Sequence, residues 1–538
     1  MQTVSENWKN AHKQTLLNES FVEVSLNIAD PDALASVSSM DNGSAYISDT
    51  AQVVSEVDKN AVPYCTLEQN MWLLDGSRKA IPESDFGSNG YVGNELSDDV
   101  CVFSGKMPVI TLNFPQVFRN LIPGITITWS PTYGEFADSF VVTAYNGATL
   151  VASKEVVGNR STKSLVMLDI VGYNRIDIMI TKWCLPYHRA RVEEIFVGIN
   201  RVYTKSELFN YTHSQSVDPV STSLPKTEIQ FSINNVDGEY NPHNTQGMSK
   251  YLMERQEVKA RYGLKLADGS VEWIEGGTFY LSEWNAKQSG LTADFTARDL
   301  LEFMSATCID DHDLSSRTLY DLADKVLRAA ELPKNDNGTV KWVIDESLRS
   351  ITTTAPLPAD TLANCLQLIA NAGKCVLYQD REGILHIEPL KSDVTDYKID
   401  SFNSYSKSEV TLGKPIKYVE MKVYFYTMGE KGIESTTGVA GVEPVYKADG
   451  GESIVVDNPL ITDSIWAREV GRWMGTHLSN RMTLESSWRA DVRLDALDIV
   501  TNESEYSTNN VRMTNVKYTY NGAFRGSGEG KVSWYGMD

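Results

Sequence analysis

Short runs in which apolar and polar residues alternate recur along most of this chain, and they limit its fold more than any other feature. Such runs lie at Val22 to Ile28, Ile110 to Phe114 and Ile176 to Ile180. Successive side chains of a β-strand point to opposite faces, so a period of two predicts strands with one buried face. The sequence therefore predicts a mainly β protein with few helices.

The length of the chain implies more than one core. Its 538 residues exceed the roughly 250–300 at which a single core stops growing, so we expect several domains. The strand runs between positions 61 and 199 predict a β-sandwich, with Asn146-Gly147 as a type I′ hairpin turn. In chain order we predict the first strand of a β domain (1–30), a linker (31–60), the β-sandwich (61–199), the rest of the first β domain (200–305), a small α+β domain (306–392) and a second β domain (393–538).

Helical periodicity is confined to a few segments. Four leucine and valine residues between positions 319 and 327 are spaced i, i+3, i+7 and i+8 behind the N-cap candidates Ser316 and Thr318. A second helix is expected to stop at Gly373, a residue suited to a left-handed C′ position.

Near the carboxyl end, the apolar phase of residues 511–520 shifts, which predicts a β-bulge near Thr514.

The charge of the chain excludes several classes of protein. Its formal net charge of −22 argues against a protein that grips phosphate backbones, although it suits a conduit through which DNA slides without sticking.

The first residues carry no signal-type apolar stretch, and no run approaches the ~20 residues that cross a bilayer, so no membrane insertion is expected. We interpret the six widely spaced cysteines as reduced, mostly buried thiols: Cys65, Cys101, Cys184, Cys308, Cys365 and Cys375.

No catalytic motif is present in the sequence. It lacks HExxH, the phosphate loop, the GxSxG elbow and an EF-hand loop, and its seven histidines are scattered. The run Cys308 to Asp313 has the residue types of a cation site, but a solvated loop is favoured. Asp495 and Asp498 have the types of an acid/base pair, but a polar strand surface is favoured. We therefore predict no enzyme activity, no cofactor and no metal site.

One loop has the composition of a sugar-binding site. It lies between two predicted strands at an end of the sandwich, where binding sites often occur, and mixes aromatic with polar residues. Its candidate carbohydrate-binding residues are Trp183, Tyr187, His188 and Arg189. In the alternative interpretation, Trp183 ends a core strand and Arg191 pairs with an acid. We expect Trp72 to lie in a core.

Two parts of the chain resemble known families. The strings FSINNVDGEYNPHN (231–244) and FTARDLLEF (295–303), with WRADVRLDALDIV (488–500) near the carboxyl end, resemble the hub domains of bacteriophage tail proteins from phages of Gram-positive bacteria. This resemblance covers about residues 200–538. The segment 64–199, with TLEQNMWLLDG at its start, is similar to galactose-binding-like, discoidin-type β-sandwiches, and its position after the strand Phe21 to Ile28 indicates an insertion into the first hub domain.

The resemblance implies a structural role in a virion. It implies two barrel-like hub domains flanking the small α+β domain, and a homotrimer that forms the central ring of a tail tip or baseplate, between the tail tube and the host-facing parts. The partners would be tube, distal tail and baseplate proteins assembled in the host cytoplasm, with DNA passing through the lumen without specific binding. The alternative is a receptor-binding tail protein whose sandwich recognises cell-wall glycans.

Overall fold

A computed structural model describes most of the chain. It covers residues 1–15, 18–41, 43–48, 53–54, 63, 65–78, 90–220, 223–287, 290–304, 311–333, 339–430, 432–443, 451–489 and 491–532. This part is mainly β and multidomain, as the alternating pattern predicts. Its buried apolar side chains form three cores, which belong to a sandwich, to a pair of β-units and to an α+β unit.

The sandwich follows helix α1 (Glu6–His12) and strand β1 (Ser20–Ile28). A five-stranded antiparallel sheet in the order β2-β5-β10-β7-β8 and a three-stranded sheet in the order β12-β6-β9 contribute to its core, and β11-β4-β3 form a small third sheet. The elements are α2 (Pro31–Ser36), β2 (Ser38–Asp41), β3 (Ala45–Ser48), β4 (Tyr91–Leu96), β5 (Val109–Phe118), β6 (Ile122–Thr128), β7 (Ala137–Asn146), β8 (Thr149–Val157), β9 (Lys163–Ile170), β10 (Tyr173–Trp183), β11 (Arg189–Val192) and β12 (Glu194–Phe196).

Regular structure occurs inside residues 31–60, which the sequence predicts as a linker. Asp30 caps α2 by accepting hydrogen bonds from the backbone of Asp32 and Ala33, and Pro31 suits the first helical turn. Strand β2 then pairs antiparallel with β5 and becomes an edge of the five-stranded sheet. The linker prediction is therefore wrong for α2, β2 and β3. Of residues 49–62, only Val53 and Val54 lie in the described part.

The predicted hairpin after Tyr145 forms, but with a different turn. Asn146 is the last residue of β7 and pairs with Thr149, so the two turn residues are Gly147 and Ala148. Gly147 has a φ of +57°, whereas Ala148 has no positive φ. One left-handed residue in the first turn position is the pattern of a type II′ turn, so the type I′ prediction is wrong.

The sandwich is inserted between two paired strands. Strand β13 (Ile199–Tyr203) leaves the sandwich and pairs antiparallel with β1, with Ile28 opposite Ile199. Outside this junction, Asp169 of the sandwich accepts hydrogen bonds from Tyr251 and, at 3.0 Å, from Lys250. The strand pairing and this carboxylate connect the sandwich to the sheet that contains β1.

The strands after β13 belong mostly to two β-units. The first continues with β14 (Leu208–Ser216), β15 (Lys226–Asn234), β16 (Glu257–Lys265), β17 (Val271–Ala286) and β18 (Thr292–Arg298), with 3₁₀ turns at Met248–Tyr251 and Leu300–Met304. The second contains β24 (Val394–Ile399), β25 (Glu409–Leu412), β29 (Met482–Arg489), β30 (Ile499–Glu503), β31 (Thr508–Tyr520) and β32 (Phe524–Val532). We call β1 with β14 to β18 the first β-unit and these six strands the second β-unit.

The two β-units have the same strand order. Numbered along the chain within each unit, the six strands are arranged 1-4-5-6-3-2, as β1-β16-β17-β18-β15-β14 and as β24-β30-β31-β32-β29-β25. Strands two to six are antiparallel to their neighbours in both units, while the first strand is antiparallel to the fourth in the first unit and parallel to it in the second. The architecture is that of a duplicated unit.

Among the described strands, one pairing joins the β-units, and we call it the seam. Strand β14 pairs antiparallel with β31, from Tyr211 opposite Tyr520 to Ser216 opposite Asn515. Just before this stretch the β31–β32 register shifts between Met513 and Asn515, which confirms the bulge predicted near Thr514. Because both units contribute to one core and to one sheet, they form a continuous body.

The α+β unit has contributions from two parts of the chain. Its elements are β19 (Arg317–Thr318), α3 (Leu319–Ala329), β20 (Trp342–Ile344), a 3₁₀ turn (Glu346–Ser350), β21 (Thr352–Thr353), α4 (Leu362–Ala372), β22 (Val376–Gln379), β23 (Leu385–Glu388), β26 (Ile416–Gly429), β27 (Gly432–Val442), β28 (Glu452–Val456) and α5 (Ser464–Leu478). Apolar side chains of β26, β27 and α5 share the core of α3 and α4. Residues 416–478 therefore pack with the α+β unit, although the sequence groups them with the second β domain.

Both predicted helices of this unit form, and one ends differently from the prediction. Thr318 caps α3, as expected, by accepting a hydrogen bond from the backbone of Asp321. At the end of α4, Gly373 has a φ of −87°, and Lys374 takes the left-handed conformation. Gly373 instead avoids a steric overlap, because a Cβ there would lie 2.4 Å from Cδ2 of Leu348.

Candidate functional site

The loop predicted to bind sugar lies against a buried carboxylate. Glu135 accepts hydrogen bonds from Nε1 of Trp183 at 2.8 Å and from Nη1 of Arg191 at 3.3 Å, and its other oxygen lies 2.9 Å from Nδ1 of His188. All four side chains are buried. An ionised carboxylate in such a site needs charged or hydrogen-bonding partners, and here three side chains supply them.

A second buried carboxylate ties a distant segment to this cluster. Glu68 accepts hydrogen bonds from Nη2 of Arg191 at 2.6 Å, from the backbone N–H of Arg189 at 2.9 Å and from Thr66 at 3.0 Å. Glu68 therefore holds residues 65–78 against the end of the sandwich. We call Glu68, Glu135, Trp183, His188 and Arg191 the Glu135 cluster.

The charges of the cluster shift two pKa values. Burial alone raises the pKa of Glu68, but the Arg191 guanidinium beside it outweighs burial and holds that pKa below its usual value. Burial lowers the pKa of His188, but its hydrogen bond and charge interaction with Glu135 outweigh burial and raise the pKa overall. The cluster is therefore built from ion pairs that stabilise one arrangement of the loops.

Among the predicted sugar-binding residues, Tyr187 is the most exposed. Trp183 is fully buried at the end of β10, with its ring edge-on to Trp129 at 6.2 Å, so no indole face is open for stacking. His188 is buried against Glu135, and Nη1 of Arg189 donates to the carbonyls of Gly93 (3.2 Å) and Asn94. Tyr187 is 46% exposed. Trp183 and Arg191 thus follow the alternative interpretation, while sugar binding by the loop stays a prediction.

A second exposed aromatic residue lies at this end of the sandwich and was missed by the sequence reasoning. Trp72 is 53% exposed, so the expectation that it lies in a core is wrong. Glu68 fixes its segment next to Arg189, and Leu67 and Leu74 of the same segment are exposed as well. The sequence signal was the run Trp72-Leu73-Leu74 before Asp75-Gly76, which lacks the alternation of a half-buried strand.

Arg381 connects the α+β unit with both β-units. It lies in the turn between β22 and β23 and is buried. Its Nε donates to Asp495 at 2.7 Å, its Nη1 to the carbonyl of Glu275 at 2.9 Å, and its Nη2 to the carbonyl of Val492 at 2.7 Å. Asp495, which the sequence singled out with Asp498, is therefore the ion-pair partner of a buried arginine.

The predicted loop around Asp311 is held by ion pairs. Residues 308–310, including Cys308, lie outside the described residues. The Asp311 carboxylate pairs with Arg317 at 2.9 Å and Lys325 at 3.3 Å. Burial raises its pKa, but the Arg317 hydrogen bond and charge outweigh burial and lower the pKa to about 2. Within the described ranges, no three histidine, cysteine, aspartate or glutamate residues are grouped as metal ligands.

No disulfide joins the five cysteines in the described part, and Cys65, Cys365 and Cys375 are buried. Among the described helices, none is both long and apolar enough to cross a membrane.

Solved structures that are similar to this chain include two tail proteins and a type VI secretion component. No protein-family model matches the chain, and no curated protein matches it. A 43 kDa tail protein of prophage MuSo2 from Shewanella oneidensis is 12% identical, with 61% of this chain and 95% of that chain covered and a TM-score of 0.42. A tail protein from Neisseria meningitidis is 10% identical, with 62% and 93% covered and a TM-score of 0.40. A type VI secretion component from E. coli is 7% identical, with 61% and 73% covered and a TM-score of 0.32.

Proposed function

We propose that this chain is a structural component of the tail tip or baseplate of a phage or phage-tail-like particle. In this role it forms the central hub ring that joins the tail tube to the host-facing parts. The observation that carries the proposal is the duplicated β-unit, two copies of one strand order joined in a single sheet. Three such chains would present six related units, which matches the symmetry of a six-fold tube.

The sequence strings and the charge support the same function. Two of the hub-like strings coincide with strand ends of the first β-unit, since FSINN (231–235) includes the end of β15 and FTAR (295–298) the end of β18. The net charge of −22 suits a lumen through which DNA passes without binding. The role is one of assembly with tube, distal tail and other baseplate proteins in the virion, without catalysis.

The native mass of the full chain tests this function. We expect a species of three times 59.9 kDa in a concentration series, and density for the chain at the tail tip in reconstructions of a particle that contains it. A chain that stays monomeric with and without tube protein, and that is absent from the tip of such particles, would refute the proposal.

As a second function, we propose that the sandwich recognises cell-wall glycans. Trp72 and Tyr187, both about half exposed at one end of the sandwich, favour it, because aromatic faces stack on sugar rings. The test is a cell-wall pull-down with the full chain, in which Trp72→Ala with Tyr187→Ala should abolish binding. Tyr506→Ala, a change at a 92% exposed tyrosine of the second β-unit, is the control and should bind normally. Equal binding by all three proteins, or none by the unaltered chain, contradicts the proposal.

A further inference from the structure

The seam shows how one β-unit joins another. At the seam, the second strand of the first unit (β14) pairs with the carboxyl-terminal half of the fifth strand of the second unit (β31). This half of β31 begins immediately after the bulge at Thr514, and β30 pairs only with residues before the bulge. One edge of this fifth strand therefore pairs with β30 of its own unit before the bulge and with β14 of the other unit after it, while β32 pairs with its other edge throughout.

The strand equivalent to β14 in the second unit has an open edge. Strand β25 pairs with β29 on one side, and no described strand pairs with its other side. Val410 and Leu412 are 51% and 57% exposed. Val410 lies opposite Leu484, which is buried in the core of the β-units, so its side chain is on the core face of the sheet. Apolar residues of the core face are thus left uncovered at this edge.

The strand equivalent to β31 in the first unit also has an open edge. Strand β17 pairs with β16 only as far as Tyr280, and its register with β18 shifts between Leu281 and Glu283, which gives it a bulge at the position of Thr514 in β31. Beyond the bulge, residues 283–286 pair with β18 alone among the described strands. Trp284 and Ala286 in this stretch are partly buried against the core of the β-units.

The duplication fixes how these two edges would pair. Residues at the same distance after the bulge are equivalent in the two units, so Ala286 of β17 is equivalent to Tyr518 of β31. Following the paired residues from strand five through strands six and three to strand two makes Val410 of β25 equivalent to His213 of β14. His213 lies opposite Tyr518 in the seam. The same register places Val410 opposite Ala286.

The residues that this register brings together are complementary. Leu412 would lie opposite Trp284. The pairs Val410–Ala286 and Leu412–Trp284 would then both lie on the core face, where all four side chains are incompletely covered in the single chain. On the other face, the exposed residues Glu409 and Lys287 would be opposite each other, with opposite charges. A slip of one residue would turn the apolar side chains of β25 away from those of β17, so one register is strongly favoured.

We propose that copies of this chain assemble head to tail by antiparallel pairing of residues 409–413 of one copy with residues 283–287 of the next. The proposal deepens the hub function above and rests on it, because it names the surface through which copies of the ring component join. Such a contact uses different surfaces on the two partners, and it closes into a ring when the rotation between copies allows it. The closed ring repeats the seam between chains.

A cysteine pair tests the register in the full chain. Under mild oxidation, Val410→Cys with Ala286→Cys should give covalent trimers on denaturing gels, because residues opposite each other have Cβ atoms about 4.5–5.5 Å apart. Val410→Cys with Asn285→Cys is the matched control, since Asn285 points to the other face, and it should stay uncrosslinked like the unaltered chain.

A charge reversal tests the same contact without a new bond. Glu409→Lys and Lys287→Glu should each weaken self-association about 3- to 10-fold, and the double reversal should restore it. Both side chains are exposed, so neither change should affect folding. A native trimer that shows neither the crosslink nor the rescue refutes this contact but leaves the hub function standing, whereas a monomer under all conditions refutes both. Crosslinking of Val410→Cys to a different tail protein in whole particles also overturns the proposal.

Discussion

Replacing Arg381 by methionine should loosen the junction between the α+β unit and the two β-units. Methionine fills similar space but donates no hydrogen bonds. It would leave the Asp495 carboxylate without its guanidinium and the carbonyls of Glu275 and Val492 without their donor. Breaking a buried ion pair by removing one partner costs about 3–5 kcal/mol. Asp495 keeps hydrogen bonds from two glutamines and the N-terminal ammonium at 3.7 Å, so we expect a loss at the low end, about 3 kcal/mol.

The assay combines urea unfolding at pH 7 with hydrogen exchange. Burial raises the pKa of Asp495, but the Arg381 charge, the N-terminal ammonium and hydrogen bonds from Gln2 and Arg381 together outweigh burial and lower that pKa. The stabilisation is therefore complete above the ordinary pKa near 3.8 and is lost as the pH falls through the lowered value. At pH 7 the full effect is measured. Exchange should accelerate in residues 380–384 and 491–495 before other parts of the chain, because local opening starts where contacts are lost.

Two control variants separate the ion pair from a general defect. Arg328→Met removes an exposed arginine that pairs with Asp324 on the surface of α3, and it should leave unfolding unchanged. Asp495→Asn combined with Arg381→Met should cost less than the sum of the two single changes, because no unpaired charge remains. A loss below about 1 kcal/mol for Arg381→Met, or unchanged exchange at the junction, would refute this reasoning.

Three further predictions concern the sandwich and the α+β unit. Trp183→Phe removes a hydrogen bond to Glu135 and should lower the sandwich's stability by about 1–3 kcal/mol in thermal unfolding without altering cell-wall binding; an unchanged melting temperature would contradict it. The stabilisation from protonated His188 should be complete below the unfolded pKa near 6.5 and be lost as the pH rises through its raised folded value, so the difference in unfolding free energy from His188→Gln should shrink with pH, and a constant difference would contradict this. Gly373→Ala should destabilise the α+β unit by about 1–3 kcal/mol because its Cβ would overlap Leu348, and a neutral effect in denaturant unfolding would show that Leu348 moves aside.

Local elements could be predicted from the sequence because their signals are local. The cap of α3 at Thr318 and the bulge at Thr514 each depend on a few consecutive residues. The turn after Asn146 shows the limit of such local predictions. The Asn146-Gly147 dipeptide predicted a hairpin, but the register of β7 with β8 places the turn one residue later. Register is set by pairing along whole strands, which a dipeptide does not encode.

The candidate site could be predicted only in position. Aromatic and polar residues of 183–189 do lie at an end of the sandwich. Their buried hydrogen-bond partner Glu135, which contacts Trp183 and His188, is 48 residues away from Trp183 in the chain. The composition of a short loop does not distinguish a ring that faces solvent from a ring that closes a core. The exposure of Trp72 was missed because the position of its segment also depends on distant residues. Glu68 accepts the hydrogen bonds that fix this segment from Arg189 and Arg191, which are 121 and 123 residues away in the chain.

The seam within the chain and the proposed contact between copies use different residue types, because the first forms during folding and the second would form only when two folded copies meet. The seam within the chain places buried His213 and Tyr518 opposite each other, a pairing that forms as the chain folds. An edge that joins separate copies must instead stay soluble until it meets its partner. Strand β25 is only four residues long and is flanked by the exposed lysines Lys407 and Lys414, features that keep edge strands from pairing at random. In the contact that we propose, the aliphatic residues on the core face of β25 would bind firmly only in the register that also matches the charges. The same edge would then resist aggregation and specify the proposed ring.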